Sequence, residues 1–333
     1  MKALVLETAD GPESVAVKEV ATPNPGPGEV RVAIRAASLN HRELWIPRGQ
    51  YPGMQLPTIL GCDCAGVVEK VGAGVTGVKP GDEVVVYPGL NWGDNRRTPA
   101  RNFGLLGMPG PGTIAEFVCV PAANLAPKPA FLSFEEAAAV PLTGVTSWRA
   151  LFFKGELQAG ETVLIIGIGG GVATFALAFA VAQGANAYVT GETDEILETA
   201  KAMGAKGGLK YTDPEWRKQV QPLTGGLDVV IDGAPAPSFA NYVRSLKPGA
   251  RAVIYGSTAG NQFQVNATDI FLRSASIMGS QVGDPQDFRE MLACIADKRI
   301  KPVIERTFEL AESREALLFL QDRHRFGKVV IRI

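Results

Sequence analysis

The segment Val163-Leu164-Ile165-Ile166-Gly167-Ile168-Gly169-Gly170-Gly171-Val172-Ala173 sets an apolar run, a glycine cluster and the start of an Ala-rich stretch in immediate succession. The short aliphatic run reads as a buried strand and the stretch after it as a helix, so the glycines form the turn of a β-turn-α unit. Glycine suits that turn because an anion reaches the backbone N–H groups of a helix N-terminus only where no Cβ intervenes, and the helix dipole favours the negative charge. A strict G-x-G-x-x-G spacing is absent. In the best register Ile168 holds the first position, Gly170 the second and Ala173 the third. Context rather than spacing carries the expectation of a bound dinucleotide, with Gly169, Gly170, Gly171 and Val172 at its pyrophosphate.

The surrounding texture supports this. Short apolar runs at 163–167, 187–190, 228–232 and 251–256 alternate with helical stretches such as 172–183 and 194–203, which predicts a doubly wound α/β domain with a parallel sheet. The first 120 residues or so read differently. There, β-type runs at 2–7, 14–20, 29–36, 66–71, 82–86 and 115–120 are separated by turn signals such as Pro25-Gly26-Pro27-Gly28 and Pro80-Gly81-Asp82. A helix is expected at 39–48, with Asn40 as its cap. Ser133-Phe134-Glu135-Glu136 is a capping-box pattern opening an Ala-rich helix, and 146–154 continues helical. The final β-type run, 328–333, is expected to rejoin the first module, giving domains 1–121 with 275–333, and 122–274.

A chain of 333 residues is long enough for two cores. Its 33 Lys plus Arg balance 34 Asp plus Glu, with no block of like charge, which argues against nucleic acid or a membrane surface as partner. Although 46% of residues are hydrophobic, the run 163–168 is far too short to cross a bilayer. An acidic residue, Glu7, arrives before any signal-peptide core forms, so a cytoplasmic location is expected. Four cysteines, Cys62, Cys64, Cys119 and Cys294, do not make a disulfide framework.

Several motifs together resemble the medium-chain dehydrogenase/reductase family. They are Gly26-Pro27-Gly28-Glu29-Val30, Leu39-Asn40-His41, Gly61-Cys62-Asp63-Cys64-Ala65-Gly66-Val67-Val68, Pro80-Gly81-Asp82-Glu83-Val84, Pro141-Leu142-Thr143-Gly144-Val145-Thr146, the glycine turn, and Phe326-Gly327-Lys328-Val329-Val330. The resemblance implies a GroES-like β module completed by the C-terminal tail, an inserted Rossmann domain, an active site in the cleft between them, and homodimers joined edge to edge through 276–282. Zinc enzymes of the family carry cysteine where this chain has Asn40, and a His-Glu pair where it has Cys62-Asp63. The cysteine-rich lobe that holds a structural zinc in many relatives is replaced by 88–97, which contains no cysteine.

The pattern is similar to the zinc-free quinone oxidoreductase branch, in which the residues at Asn40 and Tyr51 line the nicotinamide pocket. That implies a zinc-independent reductase of a small-molecule quinone, enone or related carbonyl. Without a Lewis acid, the reaction needs proximity and a donor for the oxygen that gains charge. Asn40 is expected to donate to the substrate carbonyl, and Tyr51 to donate a proton or stack. Thr143 is expected beside the nicotinamide. Asp63 needs a partner if buried, with His41 or Arg42 the nearest in sequence. Cys62 reads as a space-filling thiol. The competing readings are a metal-dependent alcohol dehydrogenase using Cys62 and Asp63, and a nucleotide-binding protein without turnover.

Coenzyme choice turns on the end of the second Rossmann strand. Glu192, 22 residues after Gly170, stands at the distance from which a carboxylate binds a ribose 2′-hydroxyl, favouring NAD(H). In the family register Gly191 takes the carboxylate position and leaves room for a 2′-phosphate, while Tyr211 and Arg323 match phosphate-contacting places, although Ile196 replaces a lysine often present. NADP(H) is the expectation, NAD(H) the alternative. Tyr255, in the run 251–256, is placed with the coenzyme-binding residues.

Overall fold

The computed structural model describes every residue but 323. The chain divides into two compact units, Met1–Thr143 with Asp284–Ile333, and Gly144–Gly283.

The first unit is built on strands. Its largest sheet runs Leu125–Pro127, Glu83–Val86, Asp63–Val71, Glu29–Ser38, Lys328–Arg332 and Ile304–Glu309, with Phe117–Pro121 also paired to Glu29–Ser38. A three-stranded sheet orders Val15–Glu19, Lys2–Leu6 and Thr58–Ile59. Alternation along Glu29–Ser38 turns Val30, Val32 and Ile34 into a core shared with Leu4, Leu6, Val68, Val84 and Val86. Burial of each such side chain is worth about 1.5–3 kcal/mol. Gly66 has a steric reason: a Cβ there would collide with the backbone carbonyl of Ala33 on the neighbouring strand. The C-terminal run does rejoin this module, Val330 pairing with Ser38 and Arg332 with Ala36.

Two local expectations change. The helix expected at 39–48 contracts to Arg42–Trp45, and it begins after His41 with no side-chain cap. The Asn40 amide instead points into buried charged groups, which hold it more strongly than an exposed backbone N–H would. The capping box at Ser133 forms, with reciprocal bonds to Glu136. Its helix, Phe134–Ala138, stops short of Pro141, where a second helix, Pro141–Trp148, starts and runs on into a π-helical turn, Arg149–Lys154.

Contacts divide the chain at 143 and 284 rather than at 121 and 275. Phe134–Ala138 packs on Glu29–Ser38 and Asp63–Val71, which draws it into the first unit. Ser276–Gly279 is the last strand of the second unit, pairing parallel with Leu246–Ile254.

The second unit is a six-stranded parallel sheet in the order Gly207–Lys210, Asn186–Gly191, Thr162–Ile165, Leu227–Asp232, Leu246–Ile254, Ser276–Gly279. Numbered along the chain this is 3-2-1-4-5-6, the doubly wound dinucleotide-binding order, whose switch point lies between the first and fourth strands. Helix Gly171–Ala182 buries Ala173, Phe175, Leu177 and Phe179, so it is apolar on nearly every side. Among the described residues, no helix is long and apolar enough to cross a membrane. All four cysteines are free thiols.

Candidate active site

Strand register assembles the first part of the site. Ser38 lies opposite Asp63 across one neighbour. Across the other, Val330 faces Ser38, so the antiparallel register carried two residues further places Lys328 across from position 40. Three segments distant in sequence thus deliver Asn40, Asp63 and Lys328 to one spot.

There they form a closed polar cluster. The Asn40 amide donates from Nδ2 to Asp63 Oδ2 at 2.9 Å and faces Cys62 Sγ at 3.4 Å. Lys328 Nζ donates to Asn40 Oδ1 at 2.5 Å and to Asp63 Oδ2 at 3.2 Å. Ser38 Oγ donates to the same carboxylate oxygen at 3.1 Å, and the backbone N–H of Leu142 to the other at 2.8 Å. Asp63 is fully buried and Lys328 nearly so. A buried charge demands this kind of saturation.

The next residues complete the surroundings. Glu43, fully buried, caps the backbone N–H of Asn40 through Oε2 at 2.8 Å. Burial pushes its carboxyl up to about 7, against the pull of Arg42. Burial also drives the Cys62 thiol well above its ordinary range, Asp63 and Glu43 acting the same way, so it remains a thiol. The Arg42 guanidinium lies 4.9 Å over the Tyr51 ring and donates from Nη1 to Leu106 O at 2.6 Å. Burial, opposed by Arg42, raises the Tyr51 phenol, which stays protonated. His41 is not the partner of Asp63: its Nδ1 faces Arg325 Nη2 at 3.4 Å. Thr143, in the helix Pro141–Trp148, donates through Oγ1 to Ala139 O at 3.3 Å.

The second unit offers a cradle for an anion. Gly167 and Gly169 adopt positive φ, 73° and 126°, which a side chain would strain. Gly170 is the N-cap of Gly171–Ala182 and provides no side-chain cap, so the first N–H groups of that helix lack a side-chain acceptor. A Cβ built at Gly167 or Gly170 meets nothing within 4 Å, so the approach is open. Thr190 secures the turn by accepting from Gly167 N at 2.9 Å through its hydroxyl and from Ile168 N at 2.7 Å through its carbonyl. The helix starts at Gly171, one residue before Val172. Residues present here fit a dinucleotide pyrophosphate.

At the strand end, Tyr211 N donates to Gly191 O at 3.0 Å and Thr212 Oγ1 to Glu192 O at 3.2 Å, which sets Gly191, Glu192 and Tyr211 side by side. Gly191 has a packing reason of its own, since a Cβ would stand 2.8 Å from Leu197 Cδ2. Tyr255 packs over Gly233, beyond the end of the fourth strand. Arg323 lies outside the described residues.

Comparison with known proteins identifies the family of the two units. The alcohol dehydrogenase GroES-like domain matches residues 26–130, and the zinc-binding dehydrogenase family matches 171–297. A zinc-type alcohol dehydrogenase-like protein of Schizosaccharomyces pombe is 38% identical, over 92% of this chain and 91% of its own length. An acryloyl-coenzyme A reductase of Metallosphaera sedula is 32% identical, covering 99% of both. A crystal structure of an NAD-dependent alcohol dehydrogenase superposes with a TM-score of 0.95 at 38% identity, covering 100% of both chains. The chain belongs to the medium-chain dehydrogenase/reductase family.

As a medium-chain dehydrogenase/reductase it is an NAD(P)-dependent oxidoreductase with a GroES-like domain and a Rossmann domain. The coenzyme, when bound, supplies or accepts a hydride. Of the residues expected at the chemistry, the structure joins Asn40 and Asp63 directly and links Tyr51 to them through Arg42 and Cys62. Thr143 is one residue from Leu142, whose N–H binds Asp63. Sequence reasoning missed Lys328 and Glu43. Lys328 sat in a quoted motif, but only the register reveals its partner, and Glu43, three residues after Asn40, was legible as a capping carboxylate.

Proposed function

We propose that the protein is a zinc-independent, NADP(H)-dependent reductase that transfers hydride to a quinone, an enone or a related conjugated carbonyl compound. The observation that carries this reading is the Lys328 ammonium bound to both Asn40 and Asp63. Zinc requires anionic or imidazole donors. At the positions where zinc relatives hold ligands, this chain has an amide, a buried thiol with a raised pKa, and a carboxylate whose oxygen already accepts from Lys328, Asn40 and Ser38. Among the described residues, no three His, Cys, Asp or Glu side chains gather as a metal site. That donor set does not fit a zinc ion.

A cluster of this kind suits conjugated carbonyls. One Asn40 N–H is held by Asp63, and the other faces only a sulfur, a weak acceptor that a carbonyl oxygen replaces with gain. Tyr51, kept protonated, is a proton donor. Thr143 directly follows Leu142, whose backbone N–H binds Asp63. Simple alcohols suit it less, because removing a hydroxyl proton calls for a Lewis acid or a base. The relatives named acryloyl-coenzyme A reductase and crotonyl-CoA reductase point to conjugated acyl groups, at 32% and 30% identity. A panel of quinones, enones and enoyl thioesters assayed by reduced-coenzyme oxidation tests the reading. A chain that binds coenzyme yet turns over none of them is a binding protein instead.

For the coenzyme, NADP(H) follows from the family register at Gly191 and Tyr211, while the Glu192 carboxylate beside them favours NAD(H) through a ribose hydroxyl. Titration with NADPH and NADH decides, and a clear preference for NADH removes the NADP(H) assignment. A homodimer is part of the same reading, through the edge strand Ser276–Gly279, near which Phe271 and Leu272 are 63% and 72% exposed. So is a cytoplasmic site of action.

A further inference from the structure

Arg42 is 7% exposed, and its guanidinium is only partly satisfied. Nη1 donates to Leu106 O, whereas Nε and Nη2 are buried with no well-aligned hydrogen-bond partner, their polar neighbours being the Cys62 thiol and the Tyr51 phenol. Glu43 Oε1 stands 3.8 Å from Nε, beyond hydrogen-bond reach, and it too lacks a partner. Folded proteins rarely leave charged donors in this condition, so each case asks for a reason. The neighbourhood supplies one. The guanidinium lies beside the Cys62 thiol, the same sulfur that faces Asn40 Nδ2 at 3.4 Å. Two strong nitrogen donors therefore approach one weak acceptor, and the guanidinium lies over the Tyr51 ring.

We propose that Arg42 and Asn40 together bind the oxygen on which negative charge develops during reduction, with the Nε and Nη2 edge of Arg42 as the cationic donor. This rests on the reading of the chain as a reductase of conjugated carbonyls. In that reaction hydride adds to the β-carbon, the carbon–carbon π pair moves toward the carbonyl, and the oxygen becomes an enolate. The α-carbon then takes a proton from solvent or Tyr51, so one reduced coenzyme and one proton saturate one double bond. A guanidinium stays charged at any working pH and forks toward an oxyanion, which lets it supply without a metal the stabilisation that preorganised donors give.

The test compares the full-length protein with Arg42→Gln and Arg42→Lys. With but-3-en-2-one and the preferred reduced coenzyme, R42Q lowers kcat by about 10²–10³-fold with a much smaller change in KM. Independently of turnover, the wild type in the presence of oxidised coenzyme binds crotonate about tenfold more tightly than the neutral crotonamide, and R42Q abolishes that preference. If R42Q does not hold its fold, R42K supplies the reading: kcat falls about tenfold at an unchanged Tm, because an ammonium cannot present two N–H groups in a fork. Unchanged kcat in the folded variant overturns the proposal, as does absence of a crotonate preference in the wild type. A wild type that reduces no conjugated carbonyl but shows an Arg42-dependent crotonate preference overturns the assigned reaction and leaves the anion site standing.

Discussion

The ammonium of Lys328 and the side-chain oxygen of Asn40 lie 2.5 Å apart, although 288 residues separate them in sequence. This contact fixes the sense of the amide. With Oδ1 turned to the lysine, Nδ2 must face Asp63 and Cys62, so both donor hydrogens are oriented before any ligand arrives. Lys328 is thus a positioning residue for Asn40 and the counter-charge for Asp63.

Removing that ammonium leaves a buried carboxylate without its cation. Lys328→Met is expected to lower stability by about 3–5 kcal/mol, the usual effect of breaking a buried pair from one side. Denaturant midpoints measure it. Pairing the change with Asp63→Asn recovers most of the loss, because no charge then remains to be compensated; a double variant as unstable as the sum of the two single changes contradicts the pairing.

Glu43 makes stability depend on pH in an unusual direction. Its folded pKa, about 7, lies above the ordinary carboxyl value of 4.5, so the native state holds a proton that the unfolded chain has released. Its contribution is present below about pH 4.5 and is lost as pH rises through 7. Relative to Glu43→Gln, the wild type should lose about 3 kcal/mol across that interval. Urea midpoints for both proteins, taken at half-unit steps, show a widening gap if this is right and parallel curves if it is not.

At the glycine turn, fold and function separate. Gly170 has φ −77° and ψ 155°, open to any residue, and a Cβ there touches nothing. Gly170→Ala should leave Tm within about 2 °C of the wild type. A methyl group standing where pyrophosphate must approach should weaken coenzyme binding at least about tenfold. Isothermal titration and a thermal melt on one preparation separate the two effects, and an unchanged affinity removes the turn from the coenzyme site.

Much of this architecture was legible in the residues, because the signals were strong and local. The strand, turn and helix at 163–183, the capping box at Ser133 and the returning C-terminal strand all follow from short-range pattern. Strand Gly207–Lys210 did not, since Gly207 and Gly208 weaken the β signal. A Cβ at Gly208 would stand 2.6 Å from Leu197 Cδ2, so packing with a neighbouring helix dictates that glycine. The site shows the same divide. Asn40, Tyr51 and Asp63 were visible through motif resemblance, whereas the role of Lys328 depends on a register between strands nearly three hundred residues apart. Asn40 read as a helix cap for the same reason, because its true partners are remote.

Hydride transfer to a conjugated carbonyl without zinc is tested most directly by the rate of reduced-coenzyme oxidation with a quinone and enone panel, before and after exhaustive dialysis against a strong chelator. Turnover is expected to survive dialysis unchanged and not to rise when zinc is added back. Activity that disappears on chelation and returns with one equivalent of zinc would contradict it.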